Sequence, residues 1–218
     1  DLHCPCRRQR QMCIRDRHST DNSFGFGYRN NNKIYSDKLF IKKFDNDLCN
    51  NLIVEFSKFI SKENLQKVNK ISVSIGPANF NASRLIVVLA RTISQQINCP
   101  IDSFSSFELM AKRIASKNNI FTNKQSFWIY KKLKRKGFIA GKYEICHKEE
   151  KNADLVIREI VVPKVIQELE RKELFFEANY EDEEDLRELL DLANNNLLNG
   201  KINSWKNVLP LYPISPIN

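Results

Sequence analysis

Apolar side chains recur along this chain at two different periods, and the switches between them mark its elements. Between Ser23 and Phe40 the segments SFGFGY and KIYSDKLF alternate polar and apolar positions around an Asn run, the pattern of a β-hairpin. From Asp45 to Ile60 the period lengthens. Leu48, Leu52, Ile53, Phe56, Phe59 and Ile60 repeat at helical spacing, with Asp45 or Asp47 placed to cap the start. Residues 71–77 (ISVSIGP) read as a short β-branched strand closed by a Gly-Pro turn. Residues 81–97 put Leu85, Val88, Leu89, Ile93 and Ile97 on one broad helical face. Cys99-Pro100 ends that helix, Ile101 to Phe104 reads as a strand, and Ser106 to Ala115 reads as a helix capped by Ser105 or Ser106.

Three further strand-like runs follow, SFWIYKK, GFIAGKYEI and LVIREIVV. Glu181 to Asn195 is a helix whose first turn is acidic, where the macrodipole favours negative charge. Gly200 is a stop signal, and the tail VLPLYPISPI, with three prolines, is expected to lie extended on the surface. Strands alternating with helices predict an α/β architecture. No repeat of fixed period is visible.

The chain has 218 residues, 42% of them apolar, which is enough for a real core, and no run approaches the length of a membrane span. Its formal charge of +9 favours acidic partners such as RNA. The six cysteines, Cys4, Cys6, Cys13, Cys49, Cys99 and Cys146, fit neither paired zinc knuckles nor a compact disulfide framework.

Residues 1–17 (DLHCPCRRQRQMCIRDR) have no apolar stretch of the kind a signal peptide needs. One reading is a basic, Cys-rich nucleic-acid-binding arm. The other is that RRQRQMCIRDR resembles the translation of a transposon-based sequencing adapter, with Asp1, Leu2 and His3 matching the primer upstream and the CPC cluster falling at a variable index. The second is the expectation here: a non-native, disordered tract standing in place of the first strand. It holds five arginines and two aspartates, so without it the charge of +9 falls to +6. The segment Cys-Ile-Arg-Asp-Arg is too charged to be expected in a buried strand, which predicts poor stability.

At GPANFNASR, residues 76–84, the chain resembles the TsaB (YeaZ-like) family, whose motif is close to GPGSFTGLR; Gly76, Pro77, Phe80 and Arg84 match. Four more stretches are similar to that family in the same order: HSTDNSFGFGY (18–28), CPIDSFSSFELMA (99–111), RKGFIAGKY (135–143) and VLPLY (208–212). The resemblance implies a ribonuclease-H-like fold of the actin-like ATPase superfamily, with mixed sheets flanked by helices in two lobes, residues 18–115 and 116–218. It implies a cytoplasmic, non-catalytic subunit that dimerises with a TsaD-like transferase, with a TsaE-like ATPase in the complex. That complex supports threonylcarbamoyl transfer to the tRNA adenosine next to the anticodon. Contact with tRNA would then be indirect, and homodimerisation is expected when the partner is absent.

The residues agree that the chain is not itself a catalyst. A phosphate cradle needs glycines for close backbone approach, and Ala78 and Ala82 stand where the family's later glycines fall. No GxGxxG, Walker or HxxxH spacing is present, no Ser, His and Asp set assembles, and no cofactor or metal is expected. His18 stands where the family usually has Asp and is read as a strand-end residue. The partner interface is assigned to Leu48, Leu52, Phe56, Phe59, Arg84, Leu85, Val88, Leu89 and Thr92, with Ile53, Ile60, Ile86 and Ile93 on the inner side. Gly76, Pro77 and Phe80 form the motif turn. Arg84 has two readings, a fork for a partner carboxylate or an internal salt bridge. Lys131, Lys132, Lys134, Arg135 and Lys136 are either a tRNA contact or a solvated hairpin connection, the latter favoured. The acids Glu181, Asp182, Glu183, Glu184 and Asp185 are read as a solvated helix start rather than a cation site. Two rival functions remain at this stage: a weak actin-like ATPase or sugar-kinase relative, and a stand-alone basic tRNA-binding module.

Overall fold

The computed structural model describes residues 10–16, 22–30, 37–44, 48–77, 80–120, 122–133, 137–146, 155–169 and 172–213. The first sheet holds β1 (Arg10–Asp16), β2 (Asn22–Asn30), β3 (Lys38–Phe44), β4 (Lys70–Ser74) and β5 (Ile101–Phe104) in the order β3-β2-β1-β4-β5. The expected hairpin is present as β2 and β3, which pair antiparallel.

The central position overturns one expectation. Residues 10–16, read from sequence as a disordered tract too charged for a buried strand, form β1, antiparallel to β2 and parallel to β4. Pairing on both sides places the strand there, and both of its faces are covered. Met12 points into the core and is fully buried, while Gln11 points the other way and donates to Asn194 Oδ1 at 3.1 Å. Arg10 sits at the strand end, its backbone N–H bonded to Asn69. The fit is imperfect, because Arg10 Nε and Nη1 and Gln11 Oε1 are buried without hydrogen-bond partners. Residues 1–9 and 17, and His18, lie outside the described residues.

Two helices cover one face of this sheet, α1 (Leu48–Phe59), which leads into the single turn α2 (Lys62–Leu65), and α3 (Phe80–Ile97). Phe24 and Phe26 of β2, Ile71 and Val73 of β4 and Ile101 of β5 meet Leu52, Phe56, Ile86 and Ala90 in one core. The next helix, α4 (Ser106–Lys117), turns towards the second sheet, formed by β6 (Ser126–Lys132), β7 (Phe138–Cys146), β8 (Val156–Ile166) and β9 (Phe175–Glu177) in the order β8-β7-β6-β9. Phe107, Met110 and Ile114 of α4 pack on Phe127, Ile129, Ile139 and Ile145.

Residues 116–218 do not all belong to the second lobe. After β9 the chain returns, and α5 (Asp182–Leu198) lies across the free face of the first sheet. Glycines in β2 permit the approach: a Cβ at Gly27 would stand 3.1 Å from Leu190 Cδ1. A buried ion pair, Lys70 to Asp102 at 2.7 Å, lies on the same face. Asp102 also accepts from Asn196 and Asn203, and Lys70 donates to the Lys201 carbonyl at 3.0 Å, so the pair ties the sheet to the end of α5. The tail follows, with a short 3-10 turn at Trp205–Asn207. Expected to lie wholly on the surface, it instead buries Val208 and lets Leu211 N–H donate to Ile75 O at 2.8 Å, an extension of the strand-end pairing.

Candidate functional site

The helical face proposed for a partner can now be placed residue by residue. In α3 the sequence phase holds. Ile86 and Ile93 are buried, Val88 is 57% exposed, Thr92 and Arg84 are exposed, and Leu85 and Leu89 are half-buried beside them. In α1 the phase is reversed. Leu52, Phe56 and Phe59, assigned to the interface, are in the core, whereas Ile53, assigned inward, is 65% exposed, with Val54 at 48%. Ile60 is buried as expected. The reason is that apolar residues occupy more than half the girth of α1, so either phase satisfies the periodicity. The aromatic cluster decides it: Phe26 meets Phe56 at 5.3 Å and Phe59 at 5.6 Å. Leu48 and Phe80 lie within α1 and α3, but their side chains are outside the described set. Both helices pack on the same sheet face, so Ile53, Val54 and Val88 all look outward from it.

The motif turn is held rather than open. Gly76 has a φ of +100°, a conformation natural to glycine. Its carbonyl accepts from Ser106 N–H at 2.7 Å, and the Pro77 carbonyl accepts from Ser106 Oγ at 2.9 Å. The turn therefore anchors the start of α4.

Beside it lies a buried polar cluster that the sequence reading missed. Ser105 caps α4 as expected, accepting from Glu108 N–H at 3.1 Å. Its hydroxyl also donates to Glu159 of β8 at 2.8 Å and lies 3.1 Å from the Tyr143 hydroxyl of β7, which reaches Glu159 at 3.3 Å. Burial, and then the charge of Glu159, push the Glu108 carboxyl up to about 8. Burial likewise raises Glu159 and Tyr143. The cap was legible as Ser-x-x-Glu. Its partners stand 38 and 54 residues away, beyond any local signal. Glu108 also lines a cavity of about 300 Å³ between α4, α5 and the start of β8. Arg29 closes one side of it, paired with Asp37 and Asp191 at 2.7 Å each.

The remaining candidates separate. Lys131 is half-buried with its ammonium 5.4 Å from the Tyr180 ring, and burial lowers its pKa. Lys132 is exposed, and Lys134, Arg135 and Lys136 lie outside the described residues. The acidic run is tied into the fold. Arg113 of α4 pairs with Glu181, Glu184 and Asp185, Ser23 donates to Asp182, and Glu183 pairs with Arg187. Among the described residues no group of three His, Cys, Asp or Glu is placed to hold a metal ion, and no described helix is long and apolar enough to cross a membrane.

No family model matches the chain, and no curated protein does. Solved structures do. A Pseudomonas aeruginosa protein described as uncharacterized, with similarity to peptidase YeaZ, matches with a TM-score of 0.68 over 94% of this chain and 100% of its own, at 11% identity. YeaZ from Pseudomonas aeruginosa matches with a TM-score of 0.62 over 94% and 99%, at 12% identity. The fold is that of YeaZ. Its two mixed sheets flanked by helices are the ribonuclease-H-like, actin-like arrangement that the sequence resemblance implied. At such identity the two chains share a path through space, while the side chains of α1 and α3 are this protein's own.

Proposed function

We propose that this chain is a non-catalytic TsaB-type subunit that pairs with a TsaD-type transferase and supports threonylcarbamoyl transfer to the tRNA adenosine next to the anticodon. The observation that carries the reading is the outward apolar set on α1 and α3, Ile53, Val54 and Val88, standing on a fold that follows YeaZ over 94% of the chain. Exposed apolar side chains on the helices that cover one sheet face are what a protein interface buries. The GPANFNASR motif supports it as well, since it falls between β4 and α3, the helix that carries Val88. A TsaE-type ATPase completes the complex. Without its partner the chain forms a two-fold homodimer through the same face, because an isologous contact reuses one patch.

Reconstitution tests this. A TsaD-type subunit, a TsaE-type ATPase, tRNA and a threonylcarbamoyl donor are incubated with and without this chain. Modified adenosine is expected only when the chain is present. No modification in the presence of chain shown to be folded by circular dichroism sinks the reading. The ATPase alternative is separated in the same experiment, because it requires nucleotide hydrolysis by the chain alone, and the proposal predicts none.

A further inference from the structure

We infer that the outer face of the second sheet is a stacking platform for unpaired nucleotides of an RNA. Alternation in β6 sends Phe127 and Ile129 into the core and Trp128 and Tyr130 to the opposite face. There Trp128 stacks on Phe175 of β9, with centroids 5.8 Å apart and planes 16° apart. Tyr130 meets Phe138 of β7 edge-on at 5.6 Å and Phe175 at 6.4 Å. The four rings form a row across three strands, each half-buried by its neighbours and each still open to solvent. Among the described helices it is α4 that packs on this sheet, and it takes the other face.

Charge identifies the occupant. Cross-strand partners share a face. The register sets Lys142 opposite Trp128, Lys132 opposite Phe138, and Lys164 opposite Ala140, itself the partner of Tyr130. The Lys142 ammonium lies 5.5 Å from the Trp128 ring. Arg158 stands on the same face beside Glu144. Lys142 is paired with Glu173, which also accepts from the Trp128 indole N–H, and Arg158 is paired with Glu144, so the cations left open along the rings are Lys132 and Lys164, with Glu177 exposed beside them. Flat rings for bases, edged by cations for phosphates, are how sheet surfaces hold single strands. A duplex keeps its bases stacked inside and gains nothing from the rings. The inference does not depend on a TsaD-type partner.

The test uses the full chain, a short unstructured oligouridine RNA and a matched RNA duplex, followed by anisotropy and by Trp128 emission in a Trp205→Phe background. We expect the single strand to bind more tightly than the duplex and to quench Trp128. Tyr130→Ala should weaken binding about tenfold or more. Lys132→Glu with Lys164→Glu should weaken it and flatten its salt dependence. Should Tyr130→Ala disturb the sheet, the lysine pair decides, since both side chains are exposed. The inference is overturned if folded protein leaves oligouridine free, binds the duplex equally well, binds without quenching Trp128, or binds as tightly after the lysine changes.

Discussion

Glu108 shows how one side chain joins local code to distant structure. It is the fourth residue of the Ser105 cap, yet its titration is set by burial and by Glu159 on β8. A carboxyl raised from 4.5 to about 8 stays protonated in the folded chain while the unfolded chain releases its proton near 4.5. Its contribution to stability is therefore fully present below about 4.5 and is lost progressively as pH rises from there to about 8. Glu108→Gln keeps the neutral form at every pH. The variant should melt above wild type at pH ~8 and match it near pH ~4, as thermal denaturation at both will show. Gly141 lies in β7, close to the same cluster. A Cβ there would stand 2.9 Å from the Tyr143 hydroxyl and 3.1 Å from Pro163 Cγ. Gly141→Ala should displace the hydroxyl from Ser105 and Glu159 and cost about 1–3 kcal/mol in chemical denaturation.

Helices and strands differ in how far their sequences betray them. The helix α4 was legible because its cap and apolar period are contiguous. The helix α1 was legible as a helix but not in its phase. The consequence is measurable: Leu52→Asp should cost about 3 kcal/mol or more, because it buries a carboxylate, while Ile53→Asp should stay within about 1 kcal/mol. Strand β1 was not legible at all, since its charges suggested solvent and only pairing on both sides, with Met12 turned inward, reveals its place. The path of α5 was hidden for a related reason. Its docking rests on Gly25 and Gly27, some 160 residues earlier, and on a polar lock whose partners stand 94 to 131 residues away. Removing half of that lock leaves a buried charge. Lys70→Met should destabilise by about 3–5 kcal/mol, and adding Asp102→Leu should recover part of the loss.

Taken as one body, the chain presents two outward surfaces of different chemistry. The α1–α3 face exposes Ile53, Val54 and Val88 among polar residues such as Lys58, Arg84 and Thr92, and is the face proposed for a protein. The face of the second sheet carries aromatic rings with Lys132 and Lys164 exposed along them, and is the one inferred to hold a nucleic acid. The resemblance at GPANFNASR pointed to the first surface, because the motif leads into α3. The second was hidden because its rings come from three strands that meet only in the folded sheet. The account turns on the first. Its most direct test is sedimentation velocity of the chain mixed with a TsaD-type subunit, using wild type and the Ile53→Asp, Val88→Asp double variant, which spares the core. The account predicts a one-to-one complex with wild type and separate species with the equally folded double variant. A complex that survives both substitutions, or none with wild type, would contradict it.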